Sequence, residues 1–295
     1  LSLPELAKTY LQIEGGSFGY VYGGGNKATV KNNTDIYIEN PDDPCTGVTA
    51  TDIARMGLQK KSYTIKDDKA VFDQTIDRVF GGNNLADMSI RPEWYLIQGR
   101  INNLYSGGNQ GRMISETGIL LNIFQNTGED KDLLHVNNVY GGCRMADVNP
   151  GSTPTSAKNF PSDENKKTQF VAGSSARLYI SAGKITNVYG GNDISGTVYG
   201  GTDVELHGAV SGDVYGGGNG SYVYTDKKQD SEWSDYYYNP GTNTLDALLE
   251  KRPNVQNSYV HIWGDNEAGR VYVTGRAFCG GNSATLKGDG TNPAT

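Results

Sequence analysis

Apolar and polar residues alternate in Leu11-Gln12-Ile13-Glu14, Leu178-Tyr179-Ile180-Ser181, Val204-Glu205-Leu206-His207 and Val260-His261-Ile262-Trp263. Period two sends one set of side chains to each face of an extended chain, so these stretches predict half-buried strands. His207 and His261 fall on the outward set. Between such strands the pattern breaks. Ser2-Leu3-Pro4-Glu5 has the form of a capping box, which predicts a short helix over 4–9. Residues 40–70 read as an insertion: a Pro- and Asp-rich loop, then one or two helical turns capped by Thr51. Residues 149–168 have no periodicity and read as a mobile surface loop. Residues 223–257 form a second insertion with a helix over 243–252, capped at Asn243.

One phrase recurs between the strands: a β-branched or apolar residue, an aromatic ring, a run of small residues rich in glycine, then Asn, Thr or Asp. Its aromatic positions are Tyr22, Phe80, Tyr105, Tyr140, Tyr189, Tyr199, Tyr215 and Phe278. Asn26, Asn84, Asn109, Asn219 and Asn282 each follow their ring by four residues. Repeats of this kind mark stacked units that cannot bury an apolar face singly. Glycine fits corners that need positive φ, and Asn is the next best tolerated residue there. Asn side chains can also bond from one layer to the next, as in stacked ladders. Intervals of 25 and 26 residues suit one turn of winding ribbon. The fold expected is therefore all-β, a right-handed parallel β-helix (solenoid) over 1–295 with short helical insertions. A kelch-like propeller needs about 50 residues per blade, and intervals of 10 and 16 residues are too short for one. A β-sandwich is the other alternative.

Val21 to Asn26 and Val214 to Asn219 both read Val-Tyr-Gly-Gly-Gly-Asn. With these motifs the chain resembles secreted or surface β-helix proteins of gut bacteria, which are themselves similar to pectin-lyase-like folds and autotransporter passenger stalks. Some similar chains carry an immunoglobulin A protease label. The resemblance implies export and a surface role. No motif of those proteases is matched.

Composition narrows the classes. The chain has 295 residues, 40 glycines and 19 tyrosines against 7 phenylalanines. Tyr suits a half-exposed β surface, ring packed and hydroxyl wet. A net charge of −7 gives no basic footprint for nucleic acid or anionic membrane. No apolar run reaches the ~18 residues of a membrane span. Cys45, Cys143 and Cys279 show no zinc-ligand spacing, and Cys143 and Cys279 read as small buried residues inside repeat phrases.

Asp193, Asp203 and Asp213 recur at intervals of ten. Carboxylates aligned on neighbouring layers would serve a polysaccharide lyase or hydrolase as acid, base or calcium ligands; Asp is also a good turn residue. The run Gly190-Gly191-Asn192-Asp193-Ile194 lacks the full spacing of a calcium nonapeptide; no cofactor is expected, with calcium as the alternative. A Gly-x-Ser-x-Gly elbow is absent. Trp233, Tyr236, Tyr237 and Tyr238 are the best candidates for contact with a glycan or host surface protein, since aromatic rings stack on sugars and anchor interfaces. The functional expectation is a non-catalytic, secreted or cell-surface binding protein or stalk.

Overall fold

The computed structural model describes residues 5–39, 64–66, 69–71, 76–123, 134–150, 171–263 and 272–286, except positions 15, 17, 172, 209, 226, 228–232, 235–236 and 243. In chain order the strands are β1 (Glu5–Ile13), β2 (Phe18–Tyr22), β3 (Thr29–Glu39), β4 (Thr64–Lys66), β5 (Lys69–Val71), β6 (Ile76–Phe80), β7 (Glu93–Tyr105), β8 (Ile119–Ile123) and β9 (Leu134–Tyr140). They continue with β10 (Ala176–Ile180), β11 (Lys184–Tyr189), β12 (Thr197–Val198), β13 (Thr202–Leu206), β14 (Val214–Tyr215), β15 (Asn254–Val255), β16 (Ser258–Ile262), β17 (Ala277–Phe278) and β18 (Thr285–Leu286). Among the described residues there is one helix, α1 (Leu245–Leu249). No helix among the described residues is long and apolar enough to cross a membrane.

The strands form several sheets. A nine-stranded sheet runs β1-β3-β7-β9-β11-β14-β17, with β2 and β6 branching from β7. A four-stranded sheet runs β16-β13-β10-β8 and a three-stranded one β12-β15-β18. All their pairings are parallel; among the described residues only β4 and β5 pair antiparallel.

This arrangement corrects the expectation of a single right-handed parallel β-helix. β7 shows why. Its first half pairs with β3, and its second half pairs with β6 and β9. Gly99, at φ 136°, sits where the partners change. The largest sheet therefore branches, where one uniform ribbon would keep its faces separate. What the pairing defines is several sheets of mostly parallel strands, in an α/β-like sheet arrangement with almost no helix among the described residues. The propeller alternative fails too, since its blades are antiparallel meanders.

Of the helix expected over 4–9, residues 5–9 are instead the start of β1. Parallel pairing of Thr9, Tyr10, Leu11 and Gln12 with Thr34, Asp35, Ile36 and Tyr37 outweighs the local capping signal. The insertion at 40–70 and the loop at 149–168 lie almost wholly outside the described residues. The second helix is shorter than expected. Its cap is Thr244, whose Oγ1 accepts from the Ala247 N–H at 3.2 Å.

The main core lies between the nine-stranded and four-stranded sheets. Leu121, Leu178, Val204 and Val260 stand side by side across β8, β10, β13 and β16, and face Val139, Val188 and Val214 within one apolar cluster. A second row, Met88, Met113, Val148, Val198 and Val255, lines the three-stranded side.

The repeat phrases build a third row. Tyr22, Phe80, Tyr105, Tyr140, Tyr189, Tyr215 and Phe278 stack in one column, neighbouring centroids 4.6–5.2 Å apart and planes within 10°. Each such pair contributes about 0.5–1.5 kcal/mol beyond the area it buries. Tyr199 is absent from this column. It comes ten residues after Tyr189, too few to complete a circuit, and it directly follows β12 of the three-stranded sheet.

Glycine serves the column differently from the expectation. Of the glycines in the eight phrases, only Gly200 and Gly201 have positive φ, 80° and 126°. They belong to the one phrase outside the column. Within it the need is close approach: a Cβ on Gly190 would lie 2.1 Å from the Gly216 carbonyl oxygen. The Asn residues do bond between layers. Asn84 Nδ2 donates to Asn26 Oδ1 at 2.8 Å, Asn109 Nδ2 to Asn84 Oδ1 at 2.8 Å, and Asn282 Nδ2 to Asn219 Oδ1 at 3.1 Å.

Candidate functional site

The insertion that carries the expected aromatic contacts folds back onto the sheets. Trp233 is only 1% exposed. It meets Tyr222 edge-on, packs on Tyr224, and shares a cluster with Met145, Ile194 and Leu248. Its ring anchors the insertion, and Leu248 anchors α1 beside it. Tyr238 packs at the margin of that cluster. Tyr236 lies outside the described residues. Tyr237 is half-buried and donates its hydroxyl to Asp147 Oδ1, which also accepts from the Thr197 N–H at 2.8 Å.

Tyr237 lines a cleft of ≈ 490 Å³. Thr197 of β12 and Tyr199 just after it form another part of its wall, and Asn254 of β15 a third. The segment leaving α1 adds Glu250, Lys251 and Arg252. Two carboxylates, one ammonium and one guanidinium thus surround the space, a balanced charge. The Lys251 ammonium stands 5.6 Å from the Tyr237 ring centroid. Two polar atoms of the lining are buried without a hydrogen-bond partner: the acceptor Asn254 Oδ1 and the donor Arg252 Nε. Asn254 is fixed through its other amide atom, Nδ2, which donates to Thr197 Oγ1 at 3.2 Å.

The three aspartates have separate partners. Asp193 accepts from the Tyr105 hydroxyl at 2.7 Å and from Asn219 Nδ2 at 2.9 Å, beside the aromatic column. Burial, then the Asp193 charge, pushes the Tyr105 phenol well above its usual range. Asp213 pairs with Arg276, Nη2 to Oδ2 at 2.7 Å, and accepts from the Arg276 N–H at 2.8 Å. Those bonds hold its carboxyl down at about 2. Asp203 belongs to a different sheet, on β13.

Around Asp203 the structure gathers groups that spacing did not single out. Asp203 and Glu205 alternate with Val204 and so share the outward face of β13. His261 stands opposite Glu205 on β16, and Arg177 opposite Asp203 on β10. Asp203 is 0% exposed and Glu205 1%. Asp203 Oδ2 accepts from the Val171 N–H at 2.6 Å. Burial pushes its carboxyl up to about 6, against the opposing pull of that bond and of His261. The outward placement of His261 was legible from the strand pattern. Its meeting with Asp203 was not, because 58 residues separate them and only the sheet register joins them.

Cys143 is a buried free thiol, pushed up to about 12 by burial, and Cys279 is an exposed one. At neutral pH Cys143 stays protonated and unreactive. Comparison with protein-family models, with curated proteins and with solved structures gave no match for this chain.

Proposed function

We propose that the protein is a non-catalytic binding module of a secreted or cell-surface chain, and that a saccharide occupies the cleft beside Tyr199 and Tyr237. The observation that carries this reading is the lining of the cleft, in which Tyr199 and Tyr237 stand among the polar side chains of Asp147, Thr197, Asn254 and Arg252. Such a lining offers both donors and acceptors, and a sugar hydroxyl matches both. Tyrosine faces supply the apolar contact that the carbon side of a sugar ring requires. The balance of Asp147 and Glu250 against Lys251 and Arg252 selects for a neutral or zwitterionic ligand over a polyanion.

A screen of immobilised glycans tests this with the wild type, Asn254→Ala and Tyr199→Ala. Binding by the wild type that weakens about 3- to 10-fold in Tyr199→Ala supports the assignment, since one ring contact is worth about 0.5–1.5 kcal/mol. Binding that both variants retain unchanged removes the cleft from consideration.

A further inference from the structure

The polar face of the four-stranded sheet presents a second constellation, distinct from the cleft. Asp203 and Glu205 lie two residues apart on β13, so both point to the same side. His261 is brought alongside by the parallel register of β16. The ligand atoms that the three residues offer lie within 4.8 Å of one another. Two donors on one ion, each bound at about 2.0–2.2 Å, stand roughly 3–4 Å apart, so a small movement of the half-buried imidazole closes the set.

An independent observation points to a ligand there. Asp203 Oδ1 is buried, on a residue with 0% exposure, and has no hydrogen-bond partner. It faces His261 Nε2 at 3.7 Å, beyond hydrogen-bond reach. Glu205 Oε2 accepts from Trp263 Nε1 and faces His207 Nε2 at 3.6 Å. His207 Nε2 is itself buried without a hydrogen-bond partner. Imidazole nitrogens thus stand off from carboxylate oxygens across gaps too wide for a bond. Two buried carboxylates also repel one another. Arg177 supplies one positive charge nearby and donates Nη1 to the Thr117 carbonyl at 3.1 Å. The pair still leaves negative charge for an ion to offset.

We propose that Asp203, Glu205 and His261 bind one first-row divalent transition ion, of the zinc or cobalt class. Two carboxylates with one imidazole suit such ions. Calcium prefers six to eight oxygens, and the imidazole nitrogen argues against it. Trp263 holds the Glu205 carboxylate in place from outside the donor set, as supporting partners of metal ligands do.

The test uses the full chain, freed of metal with a chelator and titrated with zinc chloride by calorimetry. A parallel titration with cobalt(II) is read by visible absorption. The expected result is one saturable equivalent of zinc and a visible cobalt band. His261→Gln and Asp203→Asn should each weaken zinc at least tenfold and diminish the band, while Tyr199→Ala, in the cleft, leaves both unchanged. His261 is partly exposed, so its variant decides the matter should Asp203→Asn fail to fold. Absence of saturable heat and of a cobalt band overturns the proposal. So does zinc binding that His261→Gln leaves intact, which would place the ion elsewhere.

Discussion

The ring of Tyr189 lies on that of Tyr215, centroids 5.2 Å apart and planes 1° from parallel, although 26 residues of chain separate them. The same relationship repeats along the column from Tyr22 to Phe278. A ring in its middle loses contact on both faces when truncated.

Tyr105 is such a ring, 1% exposed between Phe80 and Tyr140. Tyr105→Ala should lower stability by about 3–5 kcal/mol, the usual cost of emptying a large aromatic site. Tyr105→Phe keeps the stack and removes only the donor to Asp193, for a loss of about 1.5–3 kcal/mol. Urea unfolding of the two variants should rank them in that order; equal midpoints would show that the ring contacts contribute nothing.

Close approach makes a contrasting pair of glycines. Gly190→Ala drives a methyl to within 2.1 Å of the Gly216 carbonyl oxygen, whereas a Cβ on Gly280 meets nothing within 4 Å. Gly190→Ala should sharply depress the melting temperature or the soluble yield. Gly280→Ala should stay within about 0.5 kcal/mol of wild type.

Asp203 gives a signed pH dependence. Its carboxyl is up at about 6 in the fold, against 3.8 ordinarily. A raised carboxyl binds its proton more tightly when folded. Its contribution is therefore fully present below about pH 4 and is lost as pH rises through about 6. The metal-free protein should lose roughly 2–3 kcal/mol from this group over that window. His261, Glu205 and Arg177 face the same group and shape the curve. The difference between wild type and Asp203→Asn across the window isolates the effect, and a flat difference would contradict it. Asp213, held at about 2 by Arg276, acts in the opposite sense at lower pH. Its stabilisation fades as pH falls through about 2.

Tyr237 couples the insertion to the sheets through its hydroxyl bond to Asp147. Tyr237→Phe breaks that bond and keeps the ring. It should leave melting within a few degrees of wild type and weaken saccharide binding through loss of wall order. Trp233→Ala empties the buried anchor and should destabilise by about 3–5 kcal/mol. A melting temperature unchanged in Trp233→Ala would refute the packing assigned to the insertion.

Much of the strand placement was legible because period two is a local property. Leu178, Val204 and Val260 face inward as their alternation implies. The layering of the phrases was legible in the Asn and aromatic spacings. The sheet organisation was not. A repeat names which residues stack, whereas the branching of β7 depends on partners 58 and 35 residues away. Tyr199 looked like another copy of the phrase, yet it follows β12 of a different sheet, and its two glycines have positive φ. Trp233 looked like a contact residue, since sequence does not reveal whether an aromatic cluster faces solvent or folds back. The cleft itself is assembled from four separate stretches, around Asp147, Tyr199, Tyr237 and Arg252, and no local pattern joins them.

The most direct measurement is a saccharide titration of the full chain followed by side-chain amide and aromatic NMR. Shifts concentrated on the Asn254 amide and on the Tyr199 and Tyr237 rings, saturating with dose, are the result this account expects. Saturable shifts confined to other surfaces, or none with any saccharide that the chain retains on a glycan screen, would contradict it.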